Sequence, residues 1–238
     1  MKLSKTTIFE TTSAMFDKDT YIKPQAILDV FQSAAGRHAY EMNIGADTLL
    51  KDNLGWITAR QTIEIFATPF LFDQIEVYTF IHPRKKFEFL REYVAYDHNH
   101  KLLFRGISLW VILDFTTGRI RELDVYPEGE YEQNRNYDNV LKAKPVKNSG
   151  EKIKTYQVIK SDIDMYNHMN NTYYANLILD GAGVDSKDIK GLTLSYQSQA
   201  VLGDLIDIYR EVNNDEKRIY VTGVTGDKIV FSSFVDIK

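Results

Sequence analysis

The run Asp162-Ile163-Asp164-Met165-Tyr166-Asn167-His168-Met169-Asn170-Asn171 holds two carboxylates, three side-chain amides, a phenol and an imidazole. It stands directly ahead of the helical pattern Thr172–Ala182. The first turn of a helix has unpaired N–H groups, and the helix dipole favours negative charge there. These residue types suit a reaction in which charge builds on a substrate oxygen. Taken singly, each residue also has a structural reading. Asn170 or Asn171 fits a helix N-cap, Asp162 and Asp164 fit Asx-turns, and a lone histidine is often structural.

Other chemistries fit less well. The remaining histidines, His38, His82, His98 and His100, are scattered, whereas zinc takes three or four ligands at regular spacing. No metal and no cofactor is expected. There is no GxSxG elbow, P-loop or GxGxxG. With no cysteine, thiol catalysis, disulfides and thiolate-held clusters are excluded. Covalent catalysis by Asp164 stays open, but water attack on an activated carbonyl needs only a base and oxyanion donors.

The elements that must position these groups read clearly. The chain has 238 residues, 44% hydrophobic and 26% charged, enough for one large domain or two smaller ones. A net charge of −4 gives no basic field for nucleic acid. No secretory leader or membrane span is recognisable, so a cytoplasmic protein is expected. Pro24 opens a helix whose apolar face is Ile27, Val30, Phe31, Ala34 and Ala35. Four strand-like runs follow, WITARQTIEIF, QIEVYTFIH, KFEFLREYVAY and LLFRGISLWVILD, with DHNHK as a hairpin turn. Pro127–Gly150 is polar and aperiodic, the best linker candidate.

The second half repeats this order. Phe70–Tyr78 aligns without gaps on Val201–Tyr209 at an offset of 131, and KLLF at Lys101 resembles KIVF at Lys228. Asp17, Asp19 and Tyr21 match Asp162, Asp164 and Tyr166 in spacing, which sets Ile22, Lys23 and Pro24 against Asn167, His168 and Met169. Three matches in one order predict a duplicated unit of one helix and four to five antiparallel strands.

SDIDMYNHMNNTYYANLI followed by LTLSYQSQAVLGDLIDI resembles the acyl-acyl carrier protein thioesterases. LGWITARQTIEIFATPFLFDQIEVYTF and RGISLWVILDFTTGRIREL resemble that family's first domain, so the likeness covers nearly the whole chain. It implies an α+β fold of two tandem hot-dog domains, each an antiparallel sheet wrapped around a long helix. Residues 1–128 would form the acyl-pocket domain, 129–150 the linker and 151–238 the catalytic domain.

Carried over by position, the family's catalytic aspartate and histidine fall on Asp164 and His168. The family often has an asparagine two residues after the aspartate; here Tyr166 stands there, with Asn167 one further on. Its glutamate falls on Gln199 and the cysteine of some plant members on Ala200. A glutamine can orient water but cannot take its proton, so Asp164 or His168 must be the base. The expected oxyanion donors are N–H groups of the first helical turn, with Asn167. Tyr166, Asn170, Asn171, Trp56 and Trp110 are candidates for substrate contact, although a strand-core role also fits the tryptophans.

The implied partner is acyl carrier protein bearing a fatty acyl chain. Arg84-Lys85-Lys86 or Lys142, Lys144 and Lys147 could receive that acidic protein, and both also read as solvated loops. A homodimer is one option, since families of this fold often dimerise. The alternatives are an acyl-CoA thioesterase and, because of Gln199, a non-catalytic acyl-binding protein. A dehydratase or hydratase is disfavoured by the absence of a His-Phe-Pro loop.

Overall fold

The computed structural model describes residues 2–123 and 126–238. Two compact units form. One comprises the chain up to Ser13, Leu28–Gln61 and Phe66–Val140; the other comprises Ala14–Ile27, Thr62–Ile65 and Leu141–Lys238.

In the first half, β1 (Ser4–Glu10) precedes α1 (Pro24–Glu41) and a single turn, α2 (Ala46–Leu49). Then come β2 (Leu54–Ile65), β3 (Gln74–Ile81), β4 (Phe89–Asp97), β5 (Leu102–Asp114) and a short β6 (Arg119–Arg121) that pairs with β5. The spatial order is β1-β3-β4-β5-β2. Proline at the first position fixes the φ that α1 needs and lacks only an N–H that would be unpaired there. The helix stops at Asn43, which takes the left-handed conformation (φ 58°) while Ile44 N–H reaches back to the Ala39 carbonyl at 3.0 Å.

The second half gives β7 (Glu151–Gln157), α3 (Tyr174–Ala182), β8 (Ile189–Tyr196), β9 (Leu205–Asn213), β10 (Arg218–Thr225) and β11 (Lys228–Ile237). Its order is β7-β9-β10-β11-β8. Each half is therefore strand, helix, four strands, in the spatial sequence first-third-fourth-fifth-second. The duplication read from the sequence is present in the topology.

The registration is partly as expected and partly different. β2 and β8 end at Ile65 and Tyr196, and β3 and β9 begin at Gln74 and Leu205, both pairs 131 apart. The Phe66 and Ala67 N–H groups share the Leu103 carbonyl (2.8 and 3.0 Å), as Gln197 and Ser198 share that of Val230 (2.9 and 3.2 Å).

Ahead of the helices the match of Asp17 to Asp162 is wrong by two residues. An isolated β-bridge joins Phe16 to Ile22 and another joins Ile163 to Met169. Thr20 and Asn167 take left-handed φ values of 64° and 62°. These equivalences set the offset at 147. Residue type misled the alignment because hydrogen bonding, not the Asp-x-Asp-x-Tyr pattern, defines the turn. Asp17 corresponds to Asp164, Tyr21 to His168, and Ile22, Lys23 and Pro24 to Met169, Asn170 and Asn171.

In the first unit α1 buries Leu28, Phe31, Ala34 and Ala35, with Phe31 stacked on Tyr93 at 4.3 Å. Full burial of such a side chain contributes about 1.5–3 kcal/mol. In the second unit α3 buries Tyr174, Ala175, Leu177, Ile178, Gly181 and Ala182. A Cβ on Gly181 would lie 2.7 Å from Ile208 Cγ2 and 2.8 Å from Val221 Cγ1, so the glycine lets α3 approach β9 and β10.

The segment 127–150 has no strand or helix, yet it is held along much of its length. In the first unit Glu92 accepts the Asn136 N–H (2.9 Å) and side-chain amide (3.1 Å). In the second, Ala143 N–H donates to Ser195 Oγ (3.1 Å), Ser232 Oγ donates to the Ala143 carbonyl (2.9 Å), and Val146 N–H donates to Thr222 Oγ1 (2.9 Å). These bonds satisfy three hydroxyls buried on β8, β11 and β10.

Candidate active site

The polar run forms a closed loop between β7 and α3. Asp162 is a staple: its buried carboxylate accepts the Tyr156 hydroxyl (2.7 Å) and the Ile159 N–H (2.9 Å) through Oδ2. Burial and this bond push the Tyr156 phenol up to about 12, keeping it protonated as the donor.

Asp164 organises the turn that carries His168. Its N–H donates to the His168 carbonyl (2.9 Å), and its own carbonyl accepts the Asn167 N–H (3.1 Å). Its Oδ1 accepts the N–H groups of Tyr166 (2.8 Å) and His168 (3.4 Å). Asparagine at 167 suits the left-handed backbone there, and its side chain is exposed. Tyr166 is half-buried, and burial together with the Asp164 charge raises its phenol above the ordinary range. The His168 ring is also half-buried.

The helix start differs from expectation. Thr172 lies not in α3 but in a 3-10 turn, Asn171–Tyr173, that precedes it. Asn170 caps this turn, its Oδ1 accepting the Thr172 N–H (3.1 Å) and Thr172 hydroxyl (3.2 Å). The Tyr173 N–H goes to the Asn170 carbonyl (3.0 Å), and the Asn170 N–H goes to that of Asp162 (2.8 Å). The N–H groups of residues 170, 172 and 173 are thus committed within the loop.

Gln199 is exposed and lies beyond β8, one residue from Ala200. The Met169 N–H donates to the Ala200 carbonyl at 2.9 Å, so the segment carrying Gln199 is tied to the segment carrying His168. A second tie runs from the Tyr196 hydroxyl to the Asn171 carbonyl (2.9 Å). Tyr196 meets buried Tyr174 edge-on at 5.6 Å, and Tyr174 meets Phe231 at 5.5 Å. Burial raises both phenols far above their ordinary value. Sequence reasoning passed over Tyr174 and Tyr196 because each sits in an apolar periodic run where an aromatic core residue is ordinary.

Trp56 and Trp110 lie in the first unit. Trp56 donates to the Ile44 carbonyl (2.7 Å) and packs edge-on against Phe89 at 5.1 Å. Trp110 donates to Ser108 Oγ (2.6 Å). Both pack, half-buried, on the cluster of Leu3, Met42, Ile81, Phe89 and Ile112.

The two basic candidates differ in pairing. Arg84 and Lys86 face Glu122 (3.7 and 3.9 Å), and Lys147 faces Asp227 (3.8 Å). Lys142 is exposed, and the Lys144 ammonium sits over the Tyr220 ring at 5.2 Å. Among the described residues no helix is long and apolar enough to cross a membrane.

Residues 2–128 match the acyl-ACP thioesterase N-terminal domain, and residues 145–229 match the acyl-ACP thioesterase C-terminal domain. An oleoyl-acyl carrier protein thioesterase, chloroplastic, of Coriandrum sativum is 23% identical over 229 residues, covering 85% of this chain and 61% of that protein. A palmitoyl-acyl carrier protein thioesterase, chloroplastic, of Arabidopsis thaliana is 25% identical over 236 residues, covering 92% of this chain and 54% of that protein. The chain thus spans between 54% and 61% of the length of these two curated relatives. An acyl-ACP thioesterase from Bacteroides thetaiotaomicron superposes with a TM-score of 0.86 at 20% identity, over 99% of this chain and 98% of that one. The 12:0-ACP thioesterase from Umbellularia californica gives 0.83 at 17% identity, over 100% and 98%. These two likenesses establish the tandem hot-dog fold.

Proposed function

Since the chain belongs to the acyl-ACP thioesterase family, we propose that it hydrolyses the thioester of a fatty acyl chain carried on acyl carrier protein. Water adds to the carbonyl, the C–S bond breaks, and the products are a free fatty acid and the carrier thiol. The observation that carries the assignment of roles is the paired turns. Asp17 and Asp164 hold the same backbone geometry, and Tyr21 stands where the second copy has His168.

The aspartate's work on the backbone is therefore common to both copies, and the imidazole is the difference. His168 takes the proton of the attacking water as the general base. Asp164 fixes the ring's position through the turn and presents its second oxygen to the water. Gln199 accepts a hydrogen bond from that water. With the N–H groups of residues 170, 172 and 173 committed within the loop ahead of α3, the Asn167 amide serves as the oxyanion donor; losing such a donor costs about 2.7–4 kcal/mol. Tyr166, Asn170 and Asn171 border the reacting group, and Trp56 and Trp110 support the acyl-pocket domain. Of the two basic candidates, Lys142 and Lys144 are the better match to acidic carrier protein, because Arg84 and Lys86 already face Glu122.

Thiol release from acyl-carrier-protein substrates of several chain lengths tests this reading. His168→Ala should lower kcat by about 10² or more with the fold retained; near-normal turnover would remove His168 from the mechanism. Comparison with acyl-CoA esters decides the carrier. Gln199 favours one other reading, a protein that binds acyl chains without cleaving them, and tight binding with no thiol release would establish it.

A further inference from the structure

The His168 loop is one of two turns with the same backbone plan, and the differences between them isolate what the second copy needs. β2 and β8 end at Ile65 and Tyr196, equivalent positions. The α1 start at Pro24 is equivalent to Asn171. In the second copy a phenol at the end of β8 donates to the carbonyl at the helix start, Tyr196 to Asn171, 2.9 Å. In the first copy the residue at the strand end is Ile65, which has no hydroxyl to give. Next to it, the second copy has Tyr174 edge-on to Tyr196 at 5.6 Å, where the first has Ile27. The aromatic pair and its hydrogen bond belong to the copy that carries His168.

The location of this bond gives it a consequence. Asn171 follows His168 by three residues, and Tyr196 precedes Gln199 by three. Together with the Met169 to Ala200 bond of 2.9 Å and the hydrogen bond between the Ala200 backbone and the Tyr174 phenol, it ties the two segments together. The first tie uses backbone alone, and the other two depend on the side chains of Tyr196 and Tyr174. The single O–H of Tyr196 is spent on this bond, so it has no proton left to donate to the substrate. A misplacement of about 1 Å between catalytic groups can cost about 10²-fold in rate.

We propose that Tyr196 is a positioning residue, whose hydroxyl sets the separation between the His168 loop and the segment that carries Gln199. It acts through Gln199 and His168. This rests on the proposed hydrolysis only for its kinetic consequence; the mechanical part stands without it.

Tyr196→Phe removes the hydroxyl and keeps the ring. The expected result is a kcat about tenfold lower on an acyl-carrier-protein ester, KM within about twofold and a melting temperature within a few degrees. In a Gln199→Ala background the same change should have little further effect, because the group it positions is gone. Fully additive losses, or an unchanged kcat, would overturn the proposal. Amide hydrogen exchange supplies a readout that needs no activity: Tyr196→Phe should speed exchange in 167–172 and 197–201 and leave α1 unchanged. If wild type releases no thiol, the hydrolase reading fails while exchange still decides the mechanical claim; unaltered exchange refutes it. Should Tyr196→Phe melt far below wild type, 4-aminophenylalanine at 196, which keeps a donor, must restore both rate and protection, and failure to do so counts against the proposal.

Discussion

Asp17 and Asp164 perform the same hydrogen bonding 147 positions apart. Asp17 Oδ1 accepts the N–H groups of Asp19 and Tyr21, both at 2.9 Å, just as Asp164 Oδ1 accepts those of Tyr166 and His168 at 2.8 and 3.4 Å. An aspartate in this turn is a requirement of the backbone before it is a requirement of chemistry. Asparagine keeps an oxygen acceptor at the same place and removes the charge. Asp164→Asn should therefore leave the melting temperature within a few degrees and lower kcat by about tenfold or more. Asp17→Asn should leave kcat unchanged. Equal retention of activity in both variants would reduce Asp164 to a turn residue.

His38 predicts acid sensitivity of a defined sign. It lies on α1, almost fully buried, with Nε2 donating to the Lys2 carbonyl (3.2 Å) and Nδ1 accepting from Arg91 (2.9 Å). Burial, then repulsion by Arg91, lowers its pKa to about 4 against the pull of the Lys2 carbonyl and Glu41, with Lys5 adding to the repulsion. An unfolded histidine protonates near 6.5, so between pH 6.5 and 4 the unfolded chain holds more protons than the folded one. The stabilisation is complete above pH 6.5 and is lost as pH falls through that window. His38→Gln preserves a donor and an acceptor, and should flatten the fall of melting temperature between pH 7 and 4. An unaltered slope would assign the acid sensitivity to other groups.

Gly181 sets two effects against each other. Alanine is the better helix former by about 1 kcal/mol. Its Cβ, however, would stand 2.7 Å from Ile208 Cγ2 and 2.8 Å from Val221 Cγ1, and overpacking of this kind costs about 1–3 kcal/mol. Packing should win, so Gly181→Ala lowers the denaturation midpoint; a higher midpoint would show that α3 can move away from β9 and β10 at little cost.

Strand alternation and a proline-started helix made the architecture legible, and the gap-free match of Phe70–Tyr78 to Val201–Tyr209 located the repeat. Over the loop, residue type is a poor guide to equivalence. Asp17 and Asp162 share a residue type, but one caps a turn and the other staples a 3-10 segment, a distinction that only hydrogen bonds reveal. The position of Gln199 beside the His168 segment was also out of reach of the residues alone, since it depends on the Met169 to Ala200 bond between segments about thirty residues apart. Tyr196 was hidden for the opposite reason. It satisfies the strand pattern so well that nothing marks it as a hydrogen-bond donor.

Gln199→Glu tests whether position 199 touches the attacking water. Glutamine can orient water but cannot accept its proton; a carboxylate can do both, and as a class titrates about two pH units below imidazole. If water lies between His168 and position 199, the substitution supplies a second base. The acid limb of the kcat/KM profile should then extend to lower pH, and the same change should restore part of the activity lost in His168→Ala. Rescue of His168→Ala is the more demanding result, because a general electrostatic effect of one added charge would shift the profile without replacing the missing base. A profile unchanged by Gln199→Glu, together with no rescue, would place residue 199 outside the water site and leave proton transfer to the His168 loop alone.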